Sequence, residues 1–153
     1  MKQITISIAT EDDARYVARN LRAADRAEVR ALGFTPEQAV EVSRRESDTA
    51  WVARVNGTPA MVFGVRQALV AEEAEIWALG TDVCTSCPRQ MLWYGRRIVE
   101  GLSRRYPVMK NYCDARYDAA HRWLRKIGFS VGVPRAVGPK GAMFCEIRIT
   151  REG

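Results

Sequence analysis

The side chains of this chain that could make or break bonds are four cysteines, one histidine, several tyrosines and a scatter of carboxylates. Cys84 and Cys87 form a Cys-x-x-Cys, a spacing that suits zinc or a redox dithiol. A zinc site would need a second close pair or histidine partners. Cys113 and Cys145 stand alone on expected strands, and His121 is the only histidine. The four are therefore read as reduced, structural thiols, with Cys84 and Cys87 serving as small residues of a tight loop, and no metal site is expected. His121 titrates near neutrality when unperturbed, but it falls beside the apolar face of a helix, which points to a packed or surface histidine. Arg15, Arg19, Arg22, Arg26 and Arg30 recur at spacings of three and four and would form one basic stripe. With Glu11 four residues before Arg15, the stripe reads as a solvated helix face that could steer an anion.

These residues must be positioned by an alternating set of elements. Met1 to Ile8 alternates as a first strand. Thr10 followed by Glu11, Asp12 and Asp13 is a helix start with a hydroxyl cap and carboxylates in the first turn. That helix is expected to reach about Leu32, with a break near Ala23-Ala24-Asp25, and Gly33 ends it. Thr35-Pro36-Glu37-Gln38 opens a second helix, with a capping hydroxyl and proline in the first position. Asn56-Gly57 lies between the β-rich runs Ala50–Val55 and Thr58–Val65 and signals a hairpin. Ala74 to Thr81 continues the sheet, a long helix runs from Pro88 to Tyr106, and a strand follows to Cys113. Between Asp118 and Ile127 the apolar residues Ala119, Ala120, Trp123, Leu124 and Ile127 keep helical spacing, and Gly128 caps the end in a left-handed conformation with Phe129 folding back. A last strand spans Gly141 to Ile149, after the Gly/Pro-rich stretch 132–141, and an extra strand is placed near Phe129 to Val133. The order β-α-α-β-β-β-α-β-α-β implies a mixed central sheet with helices on both faces, an α/β (α+β) fold in one domain spanning residues 1–153.

The strand, acidic turn and helix ending Trp123-Leu124-Arg125-Lys126-Ile127-Gly128-Phe129, together with Trp77-Ala78-Leu79-Gly80-Thr81, resemble the acyl-CoA-binding core of the GNAT superfamily of N-acetyltransferases. The likeness covers the last half of the chain in detail and the first half by element order. It is most similar to a divergent bacteriophage branch that includes internal virion proteins of short-tailed phages. The resemblance implies an acetyl-CoA-dependent transferase acting on an amine, or a non-catalytic descendant serving as a virion or host-interaction protein. It implies that Leu79, Gly80 and Thr81 present their main chain to the pantetheine arm, with Asn111 on the facing strand. Thr85, Ser86, Arg89 and Gln90 would meet the pyrophosphate, and Glu75 would be the general base, with Glu72 and Glu73 as alternatives. Two departures stand out. The stretch Asp82 to Gln90 has none of the glycines of the family's phosphate loop, and Leu124 replaces the tyrosine that usually protonates the departing thiolate. Tyr112 or Tyr117 would then substitute, the thiolate would leave unaided, or the protein would not catalyse.

The net charge of +6, from 24 basic and 18 acidic residues, favours anionic partners. CoA fits that preference better than nucleic acid, because there is no aromatic-basic interleaving and no DNA-reading motif. No run approaches the roughly 20 apolar residues of a membrane span, and the first strand is too short and alternating for a signal peptide. The expected location is a cytoplasm, that of a host cell or a virion if the chain is phage-encoded.

Overall fold

A computed structural model describes residues 2–69 and 72–151. Strand β1 (Ile4–Ile8) leads into three helices, α1 (Glu11–Arg19), α2 (Ala23–Ala31) and α3 (Pro36–Glu46). Strands β2 (Thr49–Val55), β3 (Thr58–Gln67) and β4 (Glu73–Gly80) follow, then a 3-10 turn at Asp82–Ser86 and the long helix α4 (Pro88–Arg105). Strand β5 (Val108–Asp114), helix α5 (Asp118–Lys126) and strands β6 (Ser130–Val131), β7 (Arg135–Val137) and β8 (Ala142–Thr150) complete the described chain. The sheet runs β1-β2-β3-β4-β5-β8-β6, with β7 also on β8. Every pairing is antiparallel except β4 with β5. No described helix is long and apolar enough to cross a membrane.

The local signals act where expected. Thr10 and Thr35 each close a capping box, with Asp13 and Gln38 respectively. Asn56 and Gly57 both take positive φ, 49° and 84°, as a two-residue hairpin loop of this kind requires. Gly128 sits at φ 117°, and Phe129 N–H turns back to the Leu124 carbonyl at 2.9 Å.

Two details differ from the sequence reading. The break expected near Ala23-Ala24-Asp25 falls just before it, at Asn20 to Arg22, where the chain leaves helical geometry and Leu21 bridges to Thr81 in the sheet. The arginine stripe therefore does not exist as one face: Arg22 turns inward to Asp25, and Arg26 donates to the Leu21 carbonyl. The Gly/Pro-rich stretch contains a strand that the sequence reading does not assign, β7, which zips onto β8 through Arg135↔Phe144 to Val137↔Ala142.

Helices α1 to α3 cover one face of the sheet through Val17, Val40, Val52, Val62 and Leu79. On the opposite face α4 and α5 pack through Val99, Met109, Ile127, Phe129 and Ile147, and α4 also closes over β2 and β3 at Met61 and Phe63. Burial of these side chains supplies the main driving force, at roughly 25 cal/mol per Å2 of apolar surface.

Two glycines make room for tryptophans beside the β4/β5 gap. A Cβ on Gly64 would meet Trp77 Nε1 at 2.8 Å and the Thr49 carbonyl at 2.9 Å, and one on Gly95 would meet Trp123 at 3.1 Å. Gly64→Ala is expected to cost about 1–3 kcal/mol by overpacking. Gly101→Ala, in open space on α4, is expected to gain up to about 1 kcal/mol from helix propensity. Urea unfolding of the two variants reads the opposite signs; equal effects would mean that Trp77 can move aside freely.

Candidate active site

The parallel pairing of β4 with β5 lasts only from Glu73↔Val108 to Glu75↔Lys110. Beyond that the strands part while each keeps its outer partner, β3 or β8. Asn111, the first residue past the last pair, sends its amide across the gap to the Ile76 carbonyl at 2.6 Å. At the wide end, the Gly80 N–H donates to Asp25 at 2.7 Å, and the Arg22 N–H donates to the Gly80 carbonyl at 2.9 Å. Because peptide groups alternate along a strand, Ile76, Ala78 and Gly80 all face this gap, and the first and last are satisfied by side chains and by α2. The Ala78 N–H and C=O point into the opening with no partner among the described residues. Ala78 is exposed although its strand lies mid-sheet.

The opening is a cleft of about 550 Å3 between α2 and α3 on one side and α4 and α5 on the other. Trp77, Tyr112, Tyr117, Trp123 and Leu124 line it. The tryptophans are held against the walls: Trp77 Nε1 donates to Ser47 Oγ at 2.7 Å, and Trp123 lies on Gly95.

The chemistry of this cleft centres on α2. Asp25 is buried and pairs with Arg22 at 2.9 Å, while Arg22 also stacks over the Tyr117 ring at 5.9 Å. One turn on, Glu28 reaches across to accept the Asp114 N–H at 2.9 Å. Burial pushes the Glu28 carboxyl up to about 7, the Asp114 N–H opposes that rise, and the nearby Asp25 and Asp114 charges add to it. Burial likewise raises the Tyr117 phenol, and the Asp25 charge raises it further. Glu28 was not anticipated from sequence. The signal was present in α2, where Asp25 and Glu28 share the inward stripe with Val29.

The residues anticipated from sequence fall in several places. Leu79 lines the cleft, but its peptide group faces β3. Gly80 faces the cleft with its backbone engaged by α2, and Thr81 is buried, donating to the Ala60 carbonyl and accepting from Val83. Thr85 lines the cleft; its hydroxyl, like that of Ser86, bonds back to a carbonyl of its own turn. Arg89 is exposed and pairs with no carboxylate among the described residues, and Gln90 is tied to the Lys2 carbonyl at 2.6 Å. The helix start leaves the Arg89 and Gln90 N–H groups without intrahelical acceptors. Asn111 and Tyr117 line the cleft. Glu75 does not: it lies on the α1–α3 face of β4, bound to Arg66 at 2.9 Å. Glu72 is exposed at positive φ, and Glu73 pairs with Lys110. His121 is buried with Nε2 at 2.9 Å from the Asp114 carbonyl, which fixes a proton on that nitrogen. All four cysteines are buried and unpaired, and burial holds the Cys84 and Cys113 thiols well above their ordinary range. Among the described residues no three His, Cys, Asp or Glu side chains gather closely enough to hold a metal.

The fold recurs in solved structures over nearly the whole length of the chain. The ribosomal-protein-S18-alanine N-acetyltransferase of Escherichia coli matches with a TM-score of 0.68 and 17% identity, covering 99% of this chain and 96% of that one. The chain has the GNAT N-acetyltransferase fold. The ribosomal-protein-alanine N-acetyltransferase of Brucella melitensis gives 0.69 and 17%, over 95% and 99% of the two chains. AAC(6')-Ib in complex with ribostamycin and coenzyme A gives 0.67 and 17%, over 97% and 94%. No family model and no curated protein matches the chain. Neither named organism is a bacteriophage, so these GNAT-fold matches lend no support to the resemblance to a phage branch.

The Glu28 environment sets a pH dependence. A carboxyl whose folded value is raised binds more protons folded than unfolded, so its stabilising contribution is fully present below about 4.5 and is lost as pH rises through about 7. Thermal unfolding from pH 5 to 8 should show a loss of up to about 3 kcal/mol that is absent in Glu28→Gln. Parallel pH curves for the two proteins would remove Glu28 from this role.

Proposed function

We propose that this protein transfers an acetyl group from acetyl-CoA to an amine. The observation that carries the reading is the unpartnered Ala78 peptide group, exposed mid-sheet in an open cleft. A buried sheet leaves such groups unpaired only rarely, and this one suits a ligand that continues the ladder. Bound acetyl-CoA would supply a thioester activated toward attack by an amine. The Ala78 N–H is an oriented donor for a carbonyl oxygen gaining charge. Glu28 has the properties of the base: with its carboxyl near 7 it accepts a proton from an ammonium group at neutral pH without holding it too tightly. Nothing needs to protonate the leaving sulfur, since a thiol of ordinary pKa about 8.5 departs as thiolate near neutrality. Tyr117 is poorly suited to that task, its phenol being raised by burial and by Asp25. At the phosphate end, the N–H groups of Arg89 and Gln90 and the Arg89 charge form the anion site.

One observation favours a second reading. Asp25 and Arg22 already occupy both peptide groups of Gly80, and the Asp82–Ser86 turn has no glycine and spends its hydroxyls internally. A GNAT-fold protein that has given up the cofactor would look this way at that end. It would serve as an interaction protein, in a virion or against a host component if the chain belongs to a bacteriophage.

Calorimetric titration with acetyl-CoA separates the two. The transferase reading expects binding, weakened about three- to tenfold by Arg89→Glu. It also expects turnover to fall about 100-fold or more in Glu28→Gln, with acetyl-CoA affinity retained. No heat and no thermal shift with millimolar acetyl-CoA would give the case to the interaction protein.

A further inference from the structure

The cleft has the opposite charge to the molecule around it. The chain carries +6 overall, whereas three carboxylates, Asp25, Glu28 and Glu46, line the cleft against one guanidinium, that of Arg22. Asp25 is matched by Arg22 at 2.9 Å, and Glu46 shares Arg66 with Glu75, at 3.1 and 2.9 Å. Glu28 has no cation within salt-bridge reach among the described residues; its polar neighbours are the Asp114 N–H, the Cys113 thiol and the Asp25 and Asp114 carboxylates. An acidic concavity in a basic protein focuses its field on cations, and a single unmatched carboxylate at its base suits a single positive charge.

The α3 side of the cleft mixes polar side chains, Gln38, Ser43 and Glu46, with an exposed apolar patch. Phe34 is 51% exposed and Val42 37% exposed, and both line the cleft with Leu32 and Trp77. Val42 lies one turn beyond Gln38 on the α3 face turned to the opening. Side chains of this kind gain free energy by covering apolar surface of a ligand, and Trp77 adds an aromatic face beside a cation.

We infer that the acceptor side of this cleft is a site for a primary amine carried on a compact apolar group, the ammonium held by Glu28 and the apolar group held between Phe34 and Val42. A polyamine would need a second carboxylate free of cations at the mouth, where Glu46 shares Arg66 with Glu75 and Val42 offers none. A sugar amine would lay its hydroxyls against Phe34 and Val42. The inference rests on the transferase reading only for what then happens to the bound amine.

Saturation-transfer NMR and calorimetry on the full chain test it with three probes. Phenethylamine has both features, 2-phenylethanol lacks the charge, and putrescine lacks the apolar group. Phenethylamine should bind about tenfold more tightly than either of the others, and Val42→Glu should weaken phenethylamine while strengthening putrescine. Equal binding of phenethylamine and 2-phenylethanol, or tighter binding of putrescine, overturns the inference. Release of free thiol from acetyl-CoA then separates the two claims. Binding of phenethylamine with no thiol release from any amine upholds the amine site and sinks the transferase. Turnover of other amines with phenethylamine neither bound nor acetylated sinks the amine site and upholds the transferase.

Discussion

Everything at this site follows from the place where two parallel strands stop pairing. Up to Glu75↔Lys110 the β4/β5 ladder is ordinary, and beyond it a row of peptide groups on β4 would be left without acceptors or donors. Leaving such groups buried and unpaired costs about 1–3 kcal/mol each, so the parting can persist only if something else meets them. Asn111 does so at the apex through the Ile76 carbonyl, and Asp25 and Arg22 do so at the wide end through Gly80. Ala78 is left between them, solvated in place of being paired. The cleft is thus a gap with both ends pinned by polar contacts.

The pins explain the acidity of the cleft. Holding the Gly80 N–H at 2.7 Å requires a strong acceptor from outside the sheet, and Asp25 is buried to provide it. A buried carboxylate without a cation would be costly, which accounts for Arg22 folding inward off the helix surface to which its spacing seemed to assign it. The same short segment, Leu21 to Asp25, therefore breaks the first helical region, bridges to Thr81 and brings α2 against the end of β4. Glu28 is carried in one turn later. Its raised carboxyl is a consequence of the pinning, since the helix that satisfies the sheet must bring its next inward position into a desolvated space already holding Asp25 and facing Asp114.

What could be read from the chain itself divides along the same line. Caps at Thr10 and Thr35, the Asn56-Gly57 hairpin and the Gly128 stop are set by residues within a few positions of one another, and all appear in the structure. The element order and the strand ending Leu79-Gly80 were legible for that reason. What escaped depends on distant partners. Glu28 looks like one more surface acid until Asp114, 86 residues away, is folded against it. Ala78 has no chemical side chain at all, and its significance arises only because β5 turns away from it. The pairing of β7 was hidden because glycine and proline in 132–141 signal turns locally, while β8 offers an edge that no local rule reveals.

The two departures from the family pattern then have different weight. Leu124 lies in the cleft wall where the family resemblance would put a proton donor, but the sulfur of a thioester can leave without one, so that departure alone does not decide against the proposed transfer. The glycine-free turn after β4 bears on binding, because close approach of backbone to phosphate is what glycine permits. Here Cys84 fills the inside of that turn, its Sγ donating to the Ala60 carbonyl at 2.9 Å and standing 2.9 Å from where a Gly80 Cβ would be. A turn filled from within cannot also wrap an anion on its inner side. Any phosphate must therefore meet it from outside, at the start of α4, where Arg89 stands exposed and the first N–H groups are free. The α2 and α3 half of the cleft keeps its depth and charge whichever way that end is used, so what sets this cleft apart lies on α2 and α3 rather than in the turn after β4.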